Sequence, residues 1–193
     1  TGKLTVLINE SKILGIEVLP PDINESQTQF APAQNGQVIR YGLAAIKGVG
    51  EAAVEAMIQA RSKDSPFNSL SDLCNCVDLR AVNRKVLEAL IKAGACDGFG
   101  QTRASLTAQI ERTLSRASSM AADRARGQET LFGLLEPVDA QEDEIPTGLR
   151  NLPEWPNAEK LGYEKELLGF YVSGHPLDPY LGILENYCTH KVS

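Results

Sequence analysis

Two glycines, one residue apart, interrupt the run Leu43-Ala44-Ala45-Ile46-Lys47-Gly48-Val49-Gly50, and Glu51-Ala52-Ala53-Val54-Glu55-Ala56-Met57-Ile58-Gln59-Ala60-Arg61 follows at once. The pattern predicts a short apolar helix ending at Ile46, a sharp corner, and a longer helix with Val54, Met57 and Ile58 on one face. Lacking a Cβ, Gly48 and Gly50 can take positive φ and let another chain come close. The first amides of the second helix have no intrahelical acceptor and stand at the positive end of its dipole. Such a nest of N–H groups suits one phosphate, and Lys47 adds a cation beside it. The alternative is a tight helix–helix corner with no ligand.

The spacing apolar-x-x-apolar-x-Gly-x-Gly, followed by an apolar stripe, resembles a helix-hairpin-helix, a motif that holds nucleic-acid backbone without reading bases. Val54 departs from it, since that position is usually small there. A weaker echo comes later. Asn83 is placed to cap a helix with Val86, Leu87, Leu90 and Ile91 on one face, and Lys92-Ala93-Gly94-Ala95 ends it with glycine at the C-cap. With one glycine left, this unit is either a degraded second hairpin or an ordinary packing helix. Its cations Arg84, Lys85 and Lys92 join Lys47, Gly48, Val49 and Gly50 as candidate DNA-contact residues.

The net charge of −6 argues at first against a nucleic-acid partner, but the charge is unevenly spread. Residues 40–127 hold 13 Lys/Arg against 9 Asp/Glu, a balance of +4, while the remainder holds 6 against 16, a balance of −10. A mildly basic middle attracts phosphates whatever the total. With 42% hydrophobic and 23% charged residues, the 193-residue chain suits one core or two small ones. No apolar run approaches the ~20 residues needed to span a bilayer, and no basic-then-apolar signal opens the chain. It starts at Thr1-Gly2-Lys3-Leu4 and reads as cut from a longer protein. Cys74, Cys76, Cys96 and Cys188 show one close spacing, Cys74-Asn75-Cys76, with no second pair or His at zinc-site distance. They read as reduced thiols of a cytosolic protein, with no metal site.

Elsewhere, Leu4 to Leu14 suggests an opening helix stopped by Gly15, Ile16 to Leu19 a short extended run ended by Pro20-Pro21, and Val38 to Arg40 the second arm of a small hairpin turned at Asn35-Gly36. Ser69 or Ser71 is placed to cap a helix through Leu70, Leu73 and Val77. A long polar helix follows over 102–127, where Arg103, Arg112, Arg116, Arg124 and Arg126 either track a backbone or form a solvated face. Residues 134–153 read as an acidic linker, and Trp155 leads into a last helical region with Leu161, Leu167, Leu168 and Phe170 on its core side. The fold class is therefore mainly α: a tandem helix-hairpin-helix domain with a small β hairpin near the N-terminus.

Between the long helix and the linker lies Gly127-Gln128-Glu129-Thr130-Leu131-Phe132-Gly133, a Leu-Phe pair in a polar stretch. Either the pair packs on the helix before it, or it is an exposed anchor for a partner's pocket. The pattern resembles the short peptide by which bacterial replication proteins bind the sliding clamp, with Gln128 at the pocket rim and Leu131 and Phe132 inside it.

Longer blocks are more specific. Gly15-Ile16-Glu17-Val18-Leu19-Pro20-Pro21-Asp22-Ile23-Asn24, Tyr41-Gly42-Leu43 with Ile46-Lys47-Gly48-Val49-Gly50, the run from Val82 to Ala95, and Gly169-Phe170-Tyr171-Val172-Ser173-Gly174-His175-Pro176-Leu177 occur in order along the chain. Together they resemble the alpha-subunit family of bacterial replicative DNA polymerase III. The resemblance implies a C-terminal fragment of a DNA-directed DNA polymerase. Residues 1–42 would end the fingers region, 43–127 would be the tandem hairpin unit that grips duplex, 128–133 the clamp-binding peptide, 134–153 the linker, and 154–193 a helical segment leading to an OB-type domain. Implied partners are double-stranded DNA, the sliding clamp and other replicase subunits, in the cytoplasm and without a membrane. The family's metal-binding aspartates and their Mg2+ belong to a palm; no Asp-x-Asp pair occurs here, so no catalytic residue, metal ligand or bound cofactor is expected in the fragment, which alone would be inactive. Two other readings stand beside it: a non-catalytic helix-hairpin-helix adaptor of DNA repair or recombination, and a helical domain with no ligand.

Overall fold

The structure, a computed structural model, describes residues 2–125, 149 and 151–180. Helix α1 (Gly2–Ile13) leads into a short strand β1 (Glu17–Leu19), and β2 (Ala31–Ala33) and β3 (Val38–Arg40) form the expected hairpin. Gln34, Asn35 and Gly36 carry the turn, all with positive φ (48°, 59° and 85°). The extended run expected over 16–19 is β1, and it joins the hairpin in a pairing that local patterning did not announce: β3 lies in the middle, antiparallel to β2 and parallel to β1, with Glu17 opposite Val38 and Leu19 opposite Arg40. Parallel pairing needs a crossover, so no turn signal marks it.

The segment expected as a short helix before the glycines is a single 3-10 turn, Leu43–Ala45. Its opening amides are spent elsewhere: Leu43 donates to the Gln27 carbonyl (2.9 Å) and Ala44 to that of Thr28 (3.0 Å). This pins the turn against residues 27–30, and the turn ends at Ile46, whose backbone is extended (φ −72°, ψ 124°). Gly42 permits the contact, because a Cβ there would stand 2.4 Å from the Gln29 carbonyl carbon.

Five further helices follow: α2 (Glu51–Asp64), α3 (Leu70–Cys76), α4 (Arg84–Lys92), α5 (Arg103–Ala125) and α6 (Asn157–Leu168). Ser69 caps α3 by accepting from the Asp72 amide, and Asn83 caps α4 by accepting from Lys85 and Val86. Val77, expected within α3, lies just past it in an extended conformation (φ −108°, ψ 159°). The α4 stripe Val86, Leu87, Leu90 and Ile91 is wholly buried, as its spacing predicts. Helix α5 packs on α3 and α4, and α6 packs on α4.

One buried cluster joins the N-terminal region to the hairpin unit and to α6, running through Ile8, Ile23, Tyr41, Met57, Leu90 and Leu168. Tyr41 is its hinge pin. Its ring meets Phe30 and Phe170, its hydroxyl donates to the Ala45 and Leu168 carbonyls (both 3.2 Å), and burial pushes its pKa up to about 12.

Candidate nucleic-acid interface

The first hairpin lies at the surface. Lys47, Gly48 and Gly50 are exposed, whereas Val49 is buried and anchors the turn into the core with Ile46. Gly48 takes φ +90°, a conformation that L side chains avoid. Gly50 does not share it: at φ −83° and ψ 153° it is extended backbone at the N-cap of α2, so the expectation of positive φ holds for one of the two glycines. What Gly50 contributes is space. Nothing lies within 4 Å of where its Cβ would be.

The amides of this turn divide into spent and unspent. Lys47 donates to the Leu167 carbonyl (3.0 Å) and Val49 to that of Ile46 (3.1 Å). Among the described residues, the amides of Gly48, Gly50, Glu51 and Ala52 donate to no carbonyl, and no side chain caps α2. The exposed Lys47 ammonium stands 3.5 Å from Glu166, which is also exposed. Glu51 opens α2 with an exposed carboxylate at the favourable end of the helix dipole.

The second hairpin, between α4 and α5, is built alike and filled. Helix α4 ends in a Schellman arrangement: Ala95 donates to the Leu90 carbonyl (2.9 Å), Gly94 to that of Ile91 (3.0 Å), and Gly94 takes φ +86°. A Cβ on Gly94 would lie 2.4 Å from a terminal nitrogen of Arg103, so the guanidinium occupies the space beside the glycine. Arg103 was expected among the outward cations of the long helix. It is instead 3% exposed, because it forks onto Asp97 (2.7 and 2.9 Å) and the fully buried Glu164 (2.8 Å) and also donates to the Lys92 carbonyl (3.2 Å). Burial alone would lower the Arg103 pKa, but Asp97 and Glu164 outweigh it and raise it. Burial would likewise raise Glu164, yet the amides of Ser173 and Val172 together with Arg103 hold it below the usual carboxylate range. The α5 amides are taken as well: Arg103 and Ala104 donate to the Glu154 carboxylate (3.1 and 3.2 Å).

The remaining candidate cations sit on α4. Arg84 pairs with Glu88 (2.8 Å) and with Glu111, and the Lys92 ammonium lies 4.7 Å over the Tyr163 ring. Lys85 is exposed. Gln128, Leu131 and Phe132 lie outside the described residues, as does Arg126, and so does most of the expected linker. Cys74, Cys76 and Cys96 are free thiols, and burial lifts Cys74 to about 12.

Sequence reasoning missed the acids that matter here, namely Glu154, Glu164 and Glu166. A signal existed for two of the contacts. Arg103 opens α5, at the end of a helix dipole that repels cations, and Glu166 sits in the last turn of α6, at the end that repels anions. A charge in the wrong turn points to a partner from elsewhere in the chain.

A model of the helix-hairpin-helix motif matches residues 15–106, a span that includes both hairpins. Over the whole chain, the sequence is 42% identical to DNA polymerase III subunit alpha of Vibrio cholerae and 40% identical to that of Pasteurella multocida. The subunit of Escherichia coli K12 is 39% identical over 97% of the chain. The chain is thus similar, from end to end, to a stretch of DNA polymerase III subunit alpha. It spans 16% of the length of each of these relatives, so it corresponds to one segment of such a subunit. Among the described residues, no helix is long and apolar enough to cross a membrane.

Proposed function

We propose that this segment holds the sugar–phosphate rail of duplex DNA at its first hairpin, in a parent chain that acts as a DNA-directed DNA polymerase of bacterial replication. One observation carries the reading: the N-terminus of α2 is exposed with its amides unspent, whereas those of α3, α4 and α5 are filled by Ser69, Asn83 and Glu154. A phosphate there would accept from Gly48, Gly50, Glu51 or Ala52, would sit at the positive end of the α2 dipole, and would have the Lys47 ammonium beside it. Such contacts carry no base information, so the grip is independent of sequence. Val49 supports the turn from the core rather than touching DNA. Arg84 and Lys92 keep their intramolecular partners, and Lys85 is exposed.

The chemistry of nucleotidyl transfer, with its aspartates and Mg2+, is assigned to a palm elsewhere in the parent chain. Gln128, Leu131 and Phe132 are assigned to the sliding clamp, which would tether the parent polymerase in the cytoplasm. In the full-length chain, replacing Leu131 and Phe132 by Ala should abolish retention on immobilised clamp and leave duplex affinity intact; unchanged retention would end that assignment.

The hairpin reading is tested by Gly50→Val in the full-length chain. A Cβ at Gly50 has nothing within 4 Å, and on this reading it stands where the backbone of DNA would approach. The melting temperature should hold, while anisotropy with a labelled random duplex should show roughly tenfold to hundredfold weaker binding, in keeping with about 1.5–3 kcal/mol for a hydrogen bond to a charged group. A folded variant with parental affinity refutes the reading.

A further inference from the structure

We propose that Glu166 is a built-in competitor for DNA phosphate, holding Lys47 in the free protein and so limiting the duplex affinity of the first hairpin. The proposal rests on the reading of that hairpin as a phosphate site. The Lys47 ammonium and the Glu166 carboxylate are 3.5 Å apart, with 69% and 63% of their side chains exposed. A pair that wet contributes little to stability and can be exchanged for another anion.

The position of Glu166 is fixed rather than incidental. The Lys47 amide donates to the carbonyl of Leu167, the next residue, and the Tyr41 hydroxyl donates to that of Leu168. The end of α6 is thus bound directly to the backbone of the hairpin, and the carboxylate is carried with it. Its neighbour Lys165 does not neutralise it, since that ammonium turns back to the Gly169 carbonyl (3.1 Å) and lies over the Tyr171 ring (5.3 Å). Nor does its own helix favour it, because an acid in the last turn faces the negative end of the dipole.

When a phosphate arrives, Lys47 exchanges one anion for another. The net gain is small, which suits a contact that must hold duplex and also let it move. Glu51 is the other exposed acid at this turn, but it opens α2, where it complements the dipole, and Lys47 is not its partner.

The test compares the full-length chain with Glu166→Gln, Lys47→Ala, the double variant and Gly50→Val, using anisotropy with a labelled random duplex over a range of salt. Glu166→Gln should bind about twofold tighter, the gain that release of one exposed ion pair can supply, with the salt slope unchanged because Lys47 neutralises the same phosphate in both proteins. In the Lys47→Ala background the same change should give no gain. Equal affinity in Glu166→Gln overturns the proposal, and so does an equal gain with and without Lys47, which would mean general repulsion instead of competition for that lysine. Gly50→Val separates the two ideas: if it weakens binding while Glu166→Gln does nothing, the hairpin stands and the competitor falls. If neither variant moves affinity, the hairpin reading itself fails. Glu166→Ala provides the same measurements should the glutamine variant lose its fold.

Discussion

At Gly48 the backbone turns with φ +90° one residue after Lys47, and at Gly94 it turns with φ +86° two residues after Lys92. From there the two hairpins diverge. Beside Gly94 sits the Arg103 guanidinium, held by Asp97 and Glu164, and the helix that follows has its first amides on Glu154. Around Gly48 and Gly50 there is solvent, and the helix that follows has no side-chain cap. A left-handed glycine therefore marks where a chain can turn sharply. It does not say what the turn holds. That is decided by whether the next helix's amides and the space beside the glycine are already occupied: at the second hairpin Arg103 fills the space, held in part by Glu164 of α6, and Glu154, before α6, takes the amides. One hairpin has become a structural clasp, and its twin keeps its donors available.

The largest effect expected from breaking this contrast is on the clasp. Arg103→Ala removes four hydrogen bonds and leaves Glu164, with no exposed surface, without its cation. Deleting one partner of a buried pair costs about 3–5 kcal/mol, much of it from the stranded charge. Urea unfolding of the full-length chain should show a loss of that order, concentrated in the transition of this segment. The matching change on the open side, Lys47→Ala, removes one exposed pair and should stay within about 0.5 kcal/mol. Similar costs for the two variants would show that the second hairpin is not held by its arginine.

Much of the architecture was legible because it depends on neighbours in sequence. Asn83 and Ser69 cap where their side chains allow, the α4 stripe is buried as its period demands, and the hairpin turns at Asn35-Gly36. The parts that escaped depend on contacts across long separations. Strand β1 pairs in parallel with β3 through a crossover, which leaves no turn signature. Arg103 looks like any arginine of a polar helix, since Glu164 is 61 residues away. The contact of α6 with the first hairpin, through Leu167 and Glu166, spans more than a hundred residues and leaves no local pattern. The glycines were legible as turn formers, but spacing alone does not tell a left-handed residue such as Gly48 from an extended one at an N-cap such as Gly50.

A graded series of alanines sharpens the comparison at smaller cost. Gly94→Ala should be the most harmful. Its positive φ alone costs roughly 1–2 kcal/mol, and its Cβ would drive into Arg103, which has no free space to retreat into because three partners hold it. Gly48→Ala should cost only the backbone penalty of roughly 1–2 kcal/mol, since its Cβ would meet the Ala89 methyl at an ordinary 3.9 Å. Gly50→Ala should change stability by less than about 0.5 kcal/mol, with an extended φ and nothing nearby. Chemical denaturation of the three variants would read this order directly. A Gly50→Ala variant as unstable as Gly94→Ala would mean that the first hairpin is packed as tightly as the second, and the distinction between an open and a filled turn would no longer hold.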